Sequence, residues 1–183
     1  MQLADSAGFV LRALHASDTA TIARLAGRRD VTDMMLSSRY PFAALAVRQY
    51  LQEAAQQELD GTARYFAIES AGQLVGGINL LHIDAEHQCA ELSCWVGRPF
   101  WRRGFATRAG AEVLACAFEQ LHLHRVQAFH LADNGPGAKM LAKLGFVREG
   151  VMRDAVCKNE HYRDVAVCGL IASDYRVSAT AQV

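Results

Sequence analysis

The sequence predicts an α/β (α+β) fold, with helices flanking a mixed, mostly antiparallel central sheet. Three observations carry that expectation. From Arg64 the hydrophobic pattern turns to a period of two, giving strand-like segments over residues 64–69, 74–83 and 91–96 with tight connections. A glycine turn, Arg102-Arg103-Gly104, then opens a long helical pattern to Gln120 that leads into a strand at residues 125–131. A second helical segment is followed by two strand-like runs spaced to close the chain as a hairpin.

In chain order, residues 9–14 form a first strand. Ser17 or Asp18 caps a helix ending near Gly27, with Ile22, Ala23, Leu25 and Ala26 on its apolar face. Residues 30–35 read as a further short helix, and residues 37–43, with Tyr40, Pro41 and Phe42, as a loop. Residues 45–59 are helical and stop at Asp60-Gly61. Ala71-Gly72-Gln73 is the turn between the next two strands, and Gly76-Gly77 inside the second marks a bulge or a close backbone approach. In the helix of residues 104–120, Val113, Leu114, Ala117, Phe118 and Leu121 form the buried side. Asn134 opens a helix that ends at Leu144, with Gly145 as its left-handed terminator. The closing strands fall near residues 146–157 and 161–170, and residues 178–183 read as a frayed tail.

At 183 residues the chain reads as one domain, residues 1–183. Apolar residues make up 51% and charged residues 21%, ordinary for a soluble globular protein. Zero formal net charge argues against a nucleic-acid partner or a membrane-binding face. Five cysteines without a CxxC pair suggest neither a disulfide framework nor a metal site, and fit a reducing cytoplasm. The N-terminus lacks the pattern of a secretory signal, and no apolar run is long enough to span a bilayer.

The most informative stretch runs from Cys89 to Ala106, CAELSCWVGRPFWRRGFA: a strand, a short irregular crossing and the glycine turn. A helix start exposes unpaired N–H groups and the positive end of its dipole, so it attracts phosphate. Arg102, Arg103, Gly104, Phe105, Ala106 and Thr107 form that start with no acidic residue among them, and the small Gly104 and Ala106 admit a pyrophosphate close to the backbone. A phosphorylated cofactor is expected here.

At this point the residues resemble the GNAT superfamily of acyl-CoA-dependent N-acetyltransferases. Residues 101–106, Trp-Arg-Arg-Gly-Phe-Ala, are similar to the family's Q/R-x-x-G-x-G/A pyrophosphate motif. Residues 134–146, from Asn134 to the Leu144-Gly145-Phe146 ending, resemble its N-x-x-S/A…L-G-F stretch. Glu149 to Asp154, followed by Tyr162-Arg163-Asp164-Val165, and the opening Leu11-Arg12 with Asp18 are similar to the Rim-type branch, which acetylates ribosomal-protein N-termini. The resemblance implies acetyl-CoA as co-substrate without metal, and a sheet splayed at the strand of residues 91–96 to admit the pantetheine arm. It also implies a backbone N–H donor for the thioester oxygen near Trp95 and Val96, and an acceptor site lined by Tyr40 and Phe42. The chain departs from the pattern at three places. Trp101 stands where the general motif has Gln or Arg. Gly137 and Leu141 stand where other members carry the serine or tyrosine that protonates the leaving thiolate.

Several residues carry two readings. Glu91, early on the strand that leads to the cofactor turn, is the first candidate for a general base; the alternative is an exposed strand carboxylate. Alternation places Glu91, Ser93 and Trp95 on one face and Leu92, Cys94 and Val96 on the other. Glu149 is the second candidate, or a surface charge paired with Arg148 or Arg153. Asn134 bonds pantetheine amides, caps its helix, or does both. Arg102 and Arg103 meet phosphate or face water, as does Lys139, which could reach the 3′-phosphate; Gly137 belongs to the same cofactor-binding helix start. Cys94 is a covalent relay or a buried strand thiol. His122, His124 and His130 do not form a convincing metal set.

The expected activity is direct transfer of acetyl from acetyl-CoA to a primary amine, with a ribosomal or other protein N-terminus as the acceptor. The alternatives are a polyamine or aminoglycoside-like small amine, and an acyl-CoA-binding sensor without turnover. Monomer and homodimer stay open, as do the acyl-chain length and the acceptor's identity.

Overall fold

The structure, a computed structural model, describes the backbone of residues 3–4 and all of residues 8–36 and 43–175. Tyr40 and Phe42 lie outside the described residues. Strands β1 (Leu3–Ala4), β2 (Phe9–Arg12), β3 (Arg64–Ser70), β4 (Gln73–Asp84), β5 (Cys89–Val96), β6 (Arg125–Leu131), β7 (Val147–Lys158) and β8 (His161–Ile171) form one sheet in the order β1-β2-β3-β4-β5-β6-β8-β7. Every neighbouring pair is antiparallel except β5–β6. The helices are α1 (Thr19–Ala26), α2 (Arg29–Thr32), α3 (Ala44–Leu59), α4 (Phe105–Ala115) and α5 (Gly135–Lys143).

The element order follows the sequence expectation, with differences at the ends. The first strand stops at Arg12, because Arg12 turns aside to clamp the carboxylate of Asp18 with two hydrogen bonds of 2.8 and 2.9 Å. Asp18 is spent on that clamp and on the backbone N–H of His15, so it closes a 3-10 turn, Ala16–Asp18, rather than capping α1 by its side chain. The helix expected over residues 30–35 is a single turn, Arg29–Thr32. The long helix expected to Gln120 widens into a π turn over Cys116–Gln120, which keeps Cys116, Ala117 and Phe118 buried.

The core lies on both sides of the sheet. One cluster joins Leu92, Ile78, Leu80 and Val126 to Phe105, Ala109 and Val113 of α4 and Leu141 of α5. The other joins Trp95 and Ala67 to Ile22, Leu25, Val31 and Val47 of α1–α3. Strand alternation explains the division: Leu92, with Cys94 and Val96 beside it, faces α4, and Trp95 faces the opposite side.

The ladder between β5 and β6 has three rungs, Cys89↔Arg125, Ala90↔Val126 and Glu91↔Gln127. Past Glu91 the two strands part, while β6 continues against β8 as far as Leu131↔Val165. The sheet is thus splayed within β5, as expected, into a β1–β5 arm and a β6–β8–β7 arm.

Gly77 sits opposite Trp95, and a Cβ there would lie 2.6 Å from the indole Nε1. The glycine makes room for the indole over β4, and a Cβ on the neighbouring Gly76 would collide with the backbone carbonyl of Trp95, so the expected close backbone approach falls at Gly76. Replacing Gly77 with Val should destabilise the fold by about 1–3 kcal/mol through overpacking, measured by urea denaturation.

Candidate active site

The crossing from β5 to α4 is built to leave a helix end bare. Gly104 precedes the helix at φ 78°, a conformation that favours glycine, and Arg102 before it has φ 62°. No side chain caps α4 and no acidic residue lies in its first turn. The first backbone bond of the helix runs from Arg108 N to Gly104 O at 3.0 Å, so the N–H groups of Phe105, Ala106 and Thr107 point out along the axis. Arg102 and Arg103 are exposed at this end. The Arg103 guanidinium lies 5.2 Å from the Phe105 ring centre, which holds a positive charge beside the turn. These residues fit a pyrophosphate: backbone donors, dipole and two cations converge.

The splay supplies the second part. Gly97 N donates to Val75 O at 2.9 Å, and Gln88 O accepts from His124 N and Arg125 N at 2.7 and 3.1 Å. In an antiparallel ladder the direction of the backbone groups alternates, so odd-numbered residues of β5 bond to β4 and even-numbered ones turn toward β6. Cys94 and Val96 therefore direct their N–H groups into the gap. The expectation for Trp95 is corrected by the same parity: its N–H belongs to the β4 ladder, and its side chain is buried among α1–α3. The Val96 carbonyl accepts the Trp101 indole N–H at 2.6 Å. Trp101, which departs from the family motif, thereby ties the crossing back onto the strand end and leaves the Val96 N–H facing the gap.

At α5, Asn134 Oδ1 accepts from Gly137 N at 3.0 Å. The cap reading of Asn134 is thus realised, with its Nδ2 directed elsewhere. A Cβ on Gly137 would come within 2.9 Å of that Nδ2, so the glycine makes room for the cap. Lys139 is exposed on the same helix. Leu141 is buried in the core, so neither it nor Gly137 offers a hydroxyl to the gap.

Glu91 occupies the last rung before the strands part, opposite Leu81 on one side and Gln127 on the other. It is half-buried, and burial pushes its carboxyl above the ordinary range, partly opposed by His82. The next row on the same face carries Tyr65, Asn79 and Ser93 side by side across three strands. The Tyr50 hydroxyl lies beside Asn79, whose buried Oδ1 has no hydrogen-bond partner among the described residues, and Tyr65 donates to Gln57 Oε1 at 2.7 Å. Burial raises both phenols, so both stay protonated. The sequence reading missed this polar row; adding the pairing register to the alternation would have revealed it.

Glu149 is placed differently from the expectation. Arg125 holds its carboxylate with two bonds of 2.7 and 2.5 Å and lowers its pKa, which makes it a poor base. The pair spans Gly169, where a Cβ would collide with both side chains. Its partner is Arg125 rather than Arg148 or Arg153, because β8 brings β6 and β7 to either side of one glycine. Burial pushes the Cys94 thiol up to about 12, so at neutral pH it is a thiol and a poor nucleophile. His122 and His124 are exposed and His130 is buried.

The chain belongs to the acetyltransferase (GNAT) domain family, whose model matches residues 9–147. It is an acyl-CoA-dependent acetyltransferase, and the resemblance drawn from the glycine turn is borne out. It is 28% identical over 167 residues to p20 of Bacillus licheniformis, an uncharacterised N-acetyltransferase, covering 90% of this chain and 93% of that one. It is 26% identical over 167 residues to the spermidine N(1)-acetyltransferase of Vibrio cholerae, covering 90% and 94%. The fold is shared with a ribosomal-protein-S5-alanine acetyltransferase from Vibrio fischeri at a TM-score of 0.83 and 21% identity, covering 96% and 98% of the two chains. It is shared also with the Vibrio cholerae spermidine N-acetyltransferase solved with CoA and spermine, at 0.82 and 24%, covering 93% and 99%.

A carboxylate placed at the bare start of α4 should repel a pyrophosphate. Gly104→Glu is expected to abolish acetyl-CoA binding in calorimetry while the circular dichroism spectrum stays native; unchanged affinity would place the phosphates elsewhere.

Proposed function

We propose that the protein transfers acetyl directly from acetyl-CoA to the α-amine of a protein N-terminus, with Glu91 as the base. The single observation that carries this reading is the position of Glu91. It is the last paired residue of β5, at the vertex of the gap into which the Val96 N–H points. In this reading the pyrophosphate lies at the N–H groups of Phe105–Thr107, with Arg102 and Arg103 beside it and Lys139 within the reach of the 3′-phosphate. The pantetheine arm follows the unpaired edge of β5. The Val96 N–H donates to the thioester oxygen, where negative charge develops during attack.

The amine attacks in its neutral form. Holding donor and acceptor in one gap supplies most of the rate. Glu91 accepts the proton that the amine loses, and its raised pKa brings it nearer to the task than an ordinary carboxylate. The leaving thiolate has a parent pKa of about 8.5, so no hydroxyl at 137 or 141 is required to protonate it. The protonated Cys94 thiol supports transfer without a covalent enzyme intermediate.

Acceptor chemistry favours an α-amine. It titrates near ~8, against ~10.4 for a lysine-type amine, so a carboxylate base suffices for it. A polyamine would also need several carboxylates around its other charges. Residues 37–43, where the acceptor loop is expected, carry no acid. The spermidine acetyltransferase among the relatives makes the polyamine the second reading. A reducing, cytoplasmic setting fits the five free thiols.

Release of CoA thiol from acetyl-CoA, measured with an alanine-initiated peptide and with spermidine, tests the reading. Turnover with the peptide supports it, turnover with spermidine alone selects the polyamine, and CoA binding without release from either selects a sensor. Glu91→Gln should lower kcat with the acetyl-CoA dissociation constant nearly unchanged. In the wild type, kcat/KM should fall on the acid side as pH drops through a pKa above the usual glutamate range. The same burial fixes the sign of a stability effect. A carboxyl with a raised folded pKa stabilises the fold below its unfolded pKa, and that contribution is lost as pH rises through the folded pKa. Glu91→Gln should therefore raise Tm at pH 7, and the gain should vanish below the ordinary glutamate pKa. A Tm difference that is the same at both pH values would show that Glu91 ionises freely.

A further inference from the structure

The two arms of the splayed sheet meet again at a contact that the chemistry above does not use. Lys158 ends β7, opposite His161 at the tip of the β7–β8 hairpin, and only 7% of its surface is exposed. Its Nζ donates to Thr32 O at 3.0 Å and to Met35 O at 2.8 Å, across 126 and 123 residues of sequence. The neighbouring Asn159 Nδ2 donates to Asp33 Oδ1 at 3.2 Å. Thr32 ends α2, whose Val31 packs in the cluster with Trp95, Ile22 and Leu25, so α2 belongs to the β1–β5 arm. The hairpin belongs to the other arm.

An ammonium is a compact and strongly hydrated charge, and burying it is unfavourable unless fixed acceptors replace its water. Here two backbone carbonyls do so, and both lie on the opposite arm from the lysine itself. At the vertex of the gap the arms are joined by three rungs of ladder. Lys158 joins them through α2, so the gap is closed into a ring rather than left as an open fork. The expected acceptor loop, residues 37–43, begins two residues after Met35.

We propose that Lys158 is a positioning residue that braces the two arms across the gap and sets the width at which the amine meets the thioester. The proposal rests on the amine-acetylation reading above. The brace lies on the hairpin and α2, neither of which carries a residue of the bare α4 start, so its loss acts on the acceptor side rather than on cofactor affinity.

The test uses the full chain with Lys158→Met, Lys158→Gln and Lys158→Arg. Gln is too short to reach both carbonyls and serves if Met does not fold; Arg keeps charge and reach. Three quantities are measured: acetyl-CoA affinity by calorimetry, acceptor KM with whichever amine the wild type acetylates, and hydrogen exchange of the amides at residues 29–36. Met and Gln are expected to raise acceptor KM by about tenfold, to leave acetyl-CoA affinity within about twofold, and to speed exchange at residues 29–36, with Arg restoring acceptor KM and exchange. Unchanged acceptor KM in a folded Met or Gln variant overturns the proposal, as does a parallel loss of acetyl-CoA affinity. If the wild type acetylates no amine, the functional reading fails on its own. Exchange then judges the brace: unchanged protection at residues 29–36 in Met and Gln overturns it.

Discussion

The end of the β5–β6 ladder at Glu91 is the constraint on which the rest of this structure depends. Three rungs hold two arms of a sheet together, and beyond them the strands part. The parting leaves the N–H groups of Cys94 and Val96 on an unpaired strand edge, where a ligand with its own acceptors can complete them. It also makes Glu91 the last residue at which the backbone is fully paired, which fixes the carboxylate at the vertex. The parallel connection β5–α4–β6 places the start of α4 beyond the C-terminal end of β5, on the open side of the gap. In parallel units ligands gather at that end of the strands, and here the bare helix turn and the free strand edge converge there.

Two carboxylates show how environment divides roles within one sheet. Glu91 and Glu149 are chemically identical, yet burial raises one pKa and Arg125 lowers the other. Glycines enforce part of that division. Gly169 opens the surface on which Arg125 reaches Glu149, and Gly77 lets Trp95 cover the face opposite α4. Absent side chains thus position charged and aromatic groups as firmly as the groups' own contacts do.

Much of the fold was legible because local rules were obeyed. The period change at Arg64, the Gly104 turn, the Asn134 cap and the Gly145 terminator each appear where the sequence placed them. The segments that departed did so through long-range contacts. Arg12 drew Asp18 away from the helix start, and the widened turn at Cys116–Gln120 served core packing. The cofactor end of the candidate site was readable for the same reason: a helix start announces itself in consecutive residues. The ion pair of Glu149 was not legible because its partner Arg125 lies 24 residues away and is brought near by β8. The polar row of Tyr65, Asn79 and Ser93 required a register that no single strand encodes. The Lys158 contact, spanning most of the chain, left no local mark at all.

The strand order carries a consequence for biosynthesis. β8, the last of the described strands in chain order, lies between β6 and β7. Until residue 171 has left the ribosome, β7 has no neighbour and β6 keeps an open flank bearing Phe129 and Leu131. Between the emergence of β6 and that of β8 the nascent chain therefore carries an unpaired, apolar strand edge, and a chain cut short within β8 would retain it permanently. Completion of this sheet thus rests on residues 161–171, whose loss would turn a folding intermediate into a substrate for chaperones and proteases.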